Sequence, residues 1–584
     1  MYTPPSPVCL DQRNSGPSWV SLHGAITSLH AASFKCIKEI WTNSATNAFE
    51  EPLERPPHST NSLNYPVPMH RPDLHEPLSQ DLATTVRATA IALLGRDAVL
   101  DTPKTLCQVR GLKVYDLLTR ILPFSAHSNF WWIRLGAPFA AMLDTANYDA
   151  VPQCKFLCFV YRTVIALMPP HDTPCSDSVM TIDNSPVELS WVLPPQSRDG
   201  FEASSSNQCP NGSAAKGVSK QSNNRQVRFA IEPMHPVSGR RLKGSRVLDY
   251  LTSAEGSLGL IAAAKDSMTW RKKTEQFLFP QSCDGDEIPD GSRFFVGFDF
   301  LTDGTVTLKV YYLPAPHSPT EHDSSEKRSP IALWDVDYKP LRRLVSTLDP
   351  ALLKPLDFLL SYFDTLDEDH KPRIQIISMD CVTSSENRLK IYCRPKTGSS
   401  WSDAVGAFTL GGRLHTPQME ETVRDMERLW NNMFPQAHSS INCDLHMVAP
   451  LEDHEILDVD SSNGIQLDQR LHPVGGLLYY YSLFAGKGAK DSVYPKLYLP
   501  VSRYCSDDQA IARAIEDYYT EPKLRMKNTS GIAEPEDWVS KEIRNTFNHR
   551  QLSERTGIHT YVTFALKKRG SELTNYFSPE PYLY

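Results

Sequence analysis

Three segments of this 584-residue chain repeat one pattern, and that pattern limits the folds open to it more than any other feature. It runs Leu308-Lys309-Val310-Tyr311-Tyr312-Leu313-Pro314, then Arg388-Leu389-Lys390-Ile391-Tyr392-Cys393-Arg394-Pro395, then Lys496-Leu497-Tyr498-Leu499-Pro500. Each is a short run rich in β-formers that stops at a proline, a residue unable to donate to a strand ladder. Positions i and i+2 of a strand share a face, so every Lys-x-Tyr sets an ammonium beside a phenol. A fourth segment, Val227-Arg228-Phe229-Ala230-Ile231-Glu232-Pro233, keeps the cation and the proline but lacks the tyrosine. The repeats are unevenly spaced, with helical stretches between them, which suits repeated supersecondary units rather than a short solenoid. A barrel closed from such strands gathers their like faces inside it. Its interior would hold Arg228, Lys309, Arg388, Lys390 and Lys496, ringed by Tyr311, Tyr392 and Tyr498. For any one strand an outward, half-exposed face would explain the charge equally well; the threefold recurrence weighs against that.

Enclosed cations need anions. The repeats carry too few carboxylates to neutralise themselves, so the pattern predicts an external, multiply charged anion such as a diphosphate. Tyrosine ring faces stabilise a nearby cation by about 2 kcal/mol each when water is excluded. Holding a diphosphate and sheltering a carbocation are together what prenyl transfer requires. Other phosphate-binding signatures are missing from the sequence: there is no GxxxxGK[ST] loop and no GxGxxG after a strand. A DDxxD helix is also missing. The nearest match, Asp364-Thr365-Leu366-Asp367-Glu368-Asp369, is expected to cap the polar end of a helix over 352–366. The acidic stretch 284–290 lacks the length and terminal glutamate of a calcium loop. No metal ligand is therefore assigned, and Lys and Arg are expected to take the place of magnesium at the diphosphate.

Strands are predicted at 187–193, 227–232, 293–301, 305–313, 373–379, 388–394, 477–484, 496–501, 559–567 and 573–577. Asp303-Gly304 marks a hairpin between two of them. Helices are predicted at 81–96, 112–122, 130–147, 152–168, 246–264, 267–277, 341–348, 352–366, 417–433 and 507–519. Residues 1–80 read as a poorly ordered tail, with a short amphipathic helix conceivable at 19–42. Residues 81–584 read as the folded domain, with 194–226 and 315–330 as mobile surface insertions. The net charge of −8 weighs against a nucleic-acid partner. The 12 cysteines contain no CxxC pair, the start carries no signal-peptide pattern, and the longest apolar run, 156–168, is short and interrupted by Arg162. A cytoplasmic protein with no membrane partner is expected, a homodimer being left open.

With these residues in view, the sequence resembles the fungal aromatic prenyltransferases of the dimethylallyltryptophan synthase type. The signposts are Phe130-Trp131-Trp132, Asp183-Asn184-Ser185-Pro186-Val187-Glu188-Leu189-Ser190-Trp191, Val227-Arg228-Phe229, the three Lys-x-Tyr segments, Thr409-Leu410-Gly411-Gly412-Arg413 and His559-Thr560-Tyr561-Val562. They run from about residue 130 to the C-terminus. The resemblance implies an α+β fold: a ten-stranded antiparallel β-barrel surrounded by α-helices and built from repeated αββα units. It implies transfer of a dimethylallyl group from dimethylallyl diphosphate to a small indole or phenolic acceptor in secondary metabolism. That diphosphate would be a co-substrate, with no cofactor and no obligatory metal. It places the catalytic carboxylate at Glu188 and the diphosphate contacts at Arg228, Lys309, Arg388, Lys390 and Lys496. The carbocation shield, with further diphosphate contacts, falls on Tyr311, Tyr392, Tyr498, Tyr561 and Tyr576.

Two departures bear on the acceptor. Members that prenylate tryptophan at C4 carry a lysine where this chain has Phe295, which argues against free tryptophan attacked at C4. A phenolic polyketide, a tyrosine-derived compound or another indole stays open. The insertion 194–226 also separates Glu188 from Arg228 and must loop out for both to share a cavity. Leu478, a bulky residue before Tyr479, is expected to favour a five-carbon donor. The alternative reading is a non-catalytic barrel that binds aromatic or diphosphate ligands. A metal-dependent terpenoid synthase is disfavoured by the missing aspartate motif.

Overall fold

The computed structural model describes residues 80–583, save 107–109, 173–177, 194–224, 262–267, 279–286, 289–293, 314–337, 396, 446–475, 486–491, 522–523, 525–534 and 568–569. Apart from Gln80, Arg225 and Gln226, the predicted tail and both predicted insertions lie outside the described residues, as does the 19–42 helix.

Ten strands build the barrel, one at each predicted segment: β1 (Val187–Val192), β2 (Gln226–Ile231), β3 (Phe294–Phe300), β4 (Val306–Tyr312), β5 (Arg373–Asp380), β6 (Leu389–Arg394), β7 (Leu478–Leu483), β8 (Val493–Leu499), β9 (His559–Lys567) and β10 (Gly570–Phe577); a separate, unpredicted two-stranded ribbon pairs Arg241–Leu242 with Glu287–Ile288. Each from β2 to β10 lies antiparallel to the next, and β1 pairs with both β2 and β10, so the sheet closes into a barrel without edges. Helices lie between successive strand pairs, as the αββα repeat requires. Asp303 and Gly304 make the β3–β4 turn: Thr305 N–H donates to Asp303 Oδ1 at 2.9 Å, and Gly304 takes φ 88°.

Alternation along the strands splits the chain into an outer apolar shell and a polar lumen. Outward-facing Phe229, Phe298 and Phe300 pack on Phe139, Phe156 and Phe159 of the surrounding helices, with ring centroids 4.7–5.5 Å apart. Each such buried ring stabilises the fold by roughly 1.5–3 kcal/mol. Polar tips fix the orientation: Tyr148 Oη donates to Phe300 O at 2.7 Å, and Tyr481 Oη to Ala407 O at 2.9 Å.

Several local expectations change. The 246–264 helix is two short ones, Gly244–Leu251 and Ala254–Ser257. Ser253 breaks it by capping Gly256 N–H, and the two helices then meet so closely that a Cβ at Gly256 would sit 2.2 Å from Tyr250 O. β8 begins at Val493 rather than Lys496, because Pro495 pairs with Tyr481 within the ladder. Val501, read as strand, starts a helical turn. Two helices were not foreseen, Trp401–Thr409 and Trp538–Thr546; the first is announced by a Ser400–Asp403 capping box that the sequence carries openly.

The helix that carries the apolar run 156–168 begins at Ala150 and continues through a π-turn at Val160–Val164. The resulting Ala150–Leu167 stretch is long and apolar enough, by length and composition, to cross a membrane. Most of it is buried, with Phe156 and Phe159 packed edge-to-face on the barrel wall. The helix predicted over 352–366 ends at Phe363. Asp367 lies in the exposed turn beyond it, accepting from the backbone N–H groups of Asp369 and His370.

Candidate active site

The lumen is arranged in rungs set by strand register. Lys309 stands opposite Gly297 and Asp380, Lys390 opposite Ser378 and Ser482, and Lys496 opposite Tyr480 and Ala565. One rung further along their own strands come Tyr311, Tyr392 and Tyr498. The cations therefore gather toward one end of the lumen and the phenols beside them toward its middle.

At the cationic end the charges are partly compensated from within. Lys309 Nζ donates to Asp299 Oδ1 at 2.6 Å, and Arg228 Nε lies 3.3 Å from the same oxygen. Asp380 accepts from Arg388 Nε at 2.9 Å and from Lys390 Nζ at 2.5 Å. Glu572 lies 3.5 Å from Lys567. The expectation of too few carboxylates is thus corrected: Asp299, Asp380 and Glu572 line the lumen. They come from strands outside the Lys-x-Tyr pattern, which is why counting within the repeats missed them. Arg228, Lys309, Arg388, Lys390, Lys496 and Lys567 still outnumber them, so this cluster carries a positive excess.

Burial dominates the electrostatics. It would raise Asp299 and Asp380, but Arg228 and Lys309 in the first case, and Lys390, Arg388 and Lys309 in the second, more than offset it and hold both carboxyls low. Burial lowers Lys390 to about 7 against the pull of Asp380, and lowers Lys309 and Lys496 as well. These lysines are poised so that an arriving anion strengthens their hold on the proton.

The phenols form one cluster across the lumen. Tyr392, Tyr480, Tyr498 and Leu478 pack together, with Tyr311, Ile376, Tyr561 and Tyr576 against them. Tyr498 lies 5.5 Å from Tyr576, 5.6 Å from Tyr561 and 6.0 Å from Tyr392, centroid to centroid. Lys496 Nζ sits 5.4 Å from the centroids of both Tyr498 and Tyr576, within cation–π range. Burial pushes the hydroxyls of Tyr311, Tyr392 and Tyr498 well up, so they remain neutral donors. A cavity of about 240 Å³ opens beside this cluster, lined by Arg388, Tyr480, Ser482, Tyr494, Lys496 and Lys567 among others.

Glu188 shares a rung with Ala230 on β2. Its carboxyl accepts from Thr560 Oγ1 at 2.6 Å. Burial raises it to about 7, tempered by that hydrogen bond and by the Lys496 charge. A carboxyl titrating there serves either as acceptor of a proton or as its donor at neutral pH.

The structure thus brings the eleven sequence-predicted residues into one lumen. Phe295 on β3 stands opposite Tyr311 on β4. Sequence reasoning missed Tyr480, Asp299, Asp380, Glu572 and Thr560. Asp299 was signalled only as a lone acid inside the apolar run Phe294–Phe300, and Tyr480 was hidden among three consecutive tyrosines.

Comparison with known proteins agrees with this geometry. Residues 127–529 match the model of the tryptophan dimethylallyltransferase family. A 7-dimethylallyltryptophan synthase of Aspergillus fumigatus is 25% identical over 495 residues, covering 81% of this chain and 90% of the relative. A 4-O-dimethylallyl-L-tyrosine synthase of Claviceps purpurea is 26% identical over 468 residues, covering 78% and 88%. The barrel itself resembles the crystal structure of NotF in complex with brevianamide F and DMSPP, with TM-score 0.54 and 17% identity over 80% of this chain and 98% of that one.

Proposed function

Since the chain belongs to the tryptophan dimethylallyltransferase family and is an aromatic prenyltransferase, we propose that it transfers a dimethylallyl group to an indole or phenolic ring without a metal ion. The observation that carries this reading is the adjacency of the cationic rung and the tyrosine cluster within one lumen. In this reading residues 81–584 are the catalytic domain.

Arg228, Lys309, Arg388, Lys390 and Lys496 would hold the diphosphate and stabilise its charge as the allylic C–O bond breaks and the electron pair leaves with oxygen. The allylic cation would then lie over Tyr311, Tyr392, Tyr498, Tyr561 and Tyr576. Attack by the ring forms the new bond. Glu188 would accept a hydrogen bond from the acceptor's N–H or O–H, raising ring nucleophilicity, and take the proton released. The excess of side-chain cations supports the metal-free form of the reaction. Leu478, inside the tyrosine cluster, supports a five-carbon donor. Near-equal identity to a tryptophan enzyme and a tyrosine enzyme, with Phe295 in place of lysine, supports an acceptor other than free tryptophan at C4.

The test is Glu188→Gln. Loss of turnover with diphosphate binding retained is the expected result. Turnover like that of the wild type would remove Glu188 from the mechanism.

A further inference from the structure

The hydroxyl of Thr560 reaches Glu188 because of an irregularity in β9. His559 pairs with Phe577, but the next pair is Val562 with Asn575. Three steps along β9 thus match two along β10, so one residue is extra, a β-bulge. In an unbroken strand Thr560 and Tyr561 would face opposite sides. Here both enter the lumen: Thr560 Oγ1 donates to Glu188 Oε1 at 2.6 Å, while the Tyr561 ring lies 5.6 Å from Tyr498.

The bulge is pinned from outside the barrel. Asp508, fully buried, accepts from the backbone N–H of Ile558 and His559 at 3.1 and 2.7 Å, and its Oδ1 lies 2.9 Å from His559 Nδ1. Arg550 Nη2 bridges Asp508 at 2.6 Å, and its Nε donates to Glu580 at 2.8 Å. Ser502 Oγ donates to the carbonyl of Thr560 itself at 3.1 Å. This outlay of buried polar groups fixes the backbone at one residue.

We propose that Thr560 is the positioning residue for Glu188: its hydroxyl fixes the carboxylate's orientation and favours its ionised form, leaving the second oxygen for the acceptor's N–H or O–H. This rests on Glu188 being the base. Among the described residues Thr560 is the one hydrogen-bond donor to this carboxylate. Lys496 and Tyr576 are the charged and titratable groups facing it, with Arg228 one rung away. A hydrogen bond donated to a carboxylate stabilises the charged form, so its loss raises the pKa.

The test is a pH titration of the Glu188 carboxyl by infrared difference spectroscopy, on the full chain with bound inorganic diphosphate. The carboxyl band lost in Glu188→Gln identifies the group. Thr560→Val, nearly isosteric, is expected to move its midpoint up by about one pH unit, as loss of a charge-assisted hydrogen bond implies. Thr560→Ser is expected to restore the wild-type midpoint. With dimethylallyl diphosphate and an accepted aromatic substrate, the acid limb of the kcat/KM profile should move the same way. A wild-type midpoint in Thr560→Val, beside an inactive Glu188→Gln, would overturn the role of Thr560 alone. An active Glu188→Gln would overturn the base assignment and the proposal with it.

Discussion

Asp380 holds Lys390 by a 2.5 Å contact to its ammonium, on a rung where Arg388 reaches the same carboxylate. The pair is buried, and burial, helped by the Arg388 and Lys309 charges and opposed by Asp380, takes Lys390 down to about 7. A lysine is charged below its folded pKa, so affinity for diphosphate should weaken as pH rises past that value. Asp380→Asn removes the charge that keeps the proton on Lys390 and lowers its pKa further. Calorimetric titration with inorganic diphosphate at pH 7.5 is expected to show roughly tenfold weaker binding in the variant, the equivalent of one pKa unit, recovering toward pH 6. Affinity unchanged across that range would show that Asp380 does not govern the protonation of Lys390.

Tyr498 is the hub of the phenol cluster, in ring contact with Tyr392, Tyr480, Tyr561 and Tyr576. Its face, rather than its hydroxyl, is what a carbocation would use. Tyr498→Ala should lower kcat by roughly thirtyfold, the equivalent of a desolvated cation–π contact of about 2 kcal/mol. Tyr498→Phe keeps the face and loses the 3.3 Å hydroxyl contact to Tyr576, so it should stay within a few-fold of the wild type. Single-turnover kinetics separate this effect from product release.

The ion cluster beneath β9 should set the acid limit of stability. Burial would raise Glu580, but His549, Arg550 and Arg555 outweigh it and hold the carboxyl at about 2. A depressed carboxyl contributes stability above its unfolded pKa, about 4.3, and loses it as pH falls toward the folded value. Urea midpoints should therefore fall between about pH 4.5 and 2.5 in the wild type. Glu580→Gln should begin less stable, by about 3 kcal/mol for a broken buried pair, and show a flatter acid limb.

The barrel was legible because its strands are short and rich in β-branched and aromatic residues, several of them closed by a proline; all ten were located from that texture. Lys309, Lys390 and Lys496 were legible because lysine two residues before tyrosine places both on one face whatever the tertiary fold. The counter-charges were not. Asp299 and Asp380 come from neighbouring strands, and only register puts Asp380 opposite Lys309. Thr560 was quoted within a motif and given no role, since its approach to Glu188 depends on a bulge and on Asp508, 52 residues earlier in the chain. Local pattern reports faces; contacts between strands distant in sequence are made by closure.

The most direct test of the central claim is mass spectrometry of a reaction containing the full chain, dimethylallyl diphosphate, excess EDTA and a panel of aromatic acceptors. The panel would hold L-tryptophan, L-tyrosine, a tryptophan-containing cyclic dipeptide and a hydroxyxanthone. One acceptor gaining a single dimethylallyl unit, at the same rate with and without EDTA, is the result this account expects. Product that forms only when magnesium is restored would contradict it, because the lumen's own cations would then be insufficient to release the diphosphate.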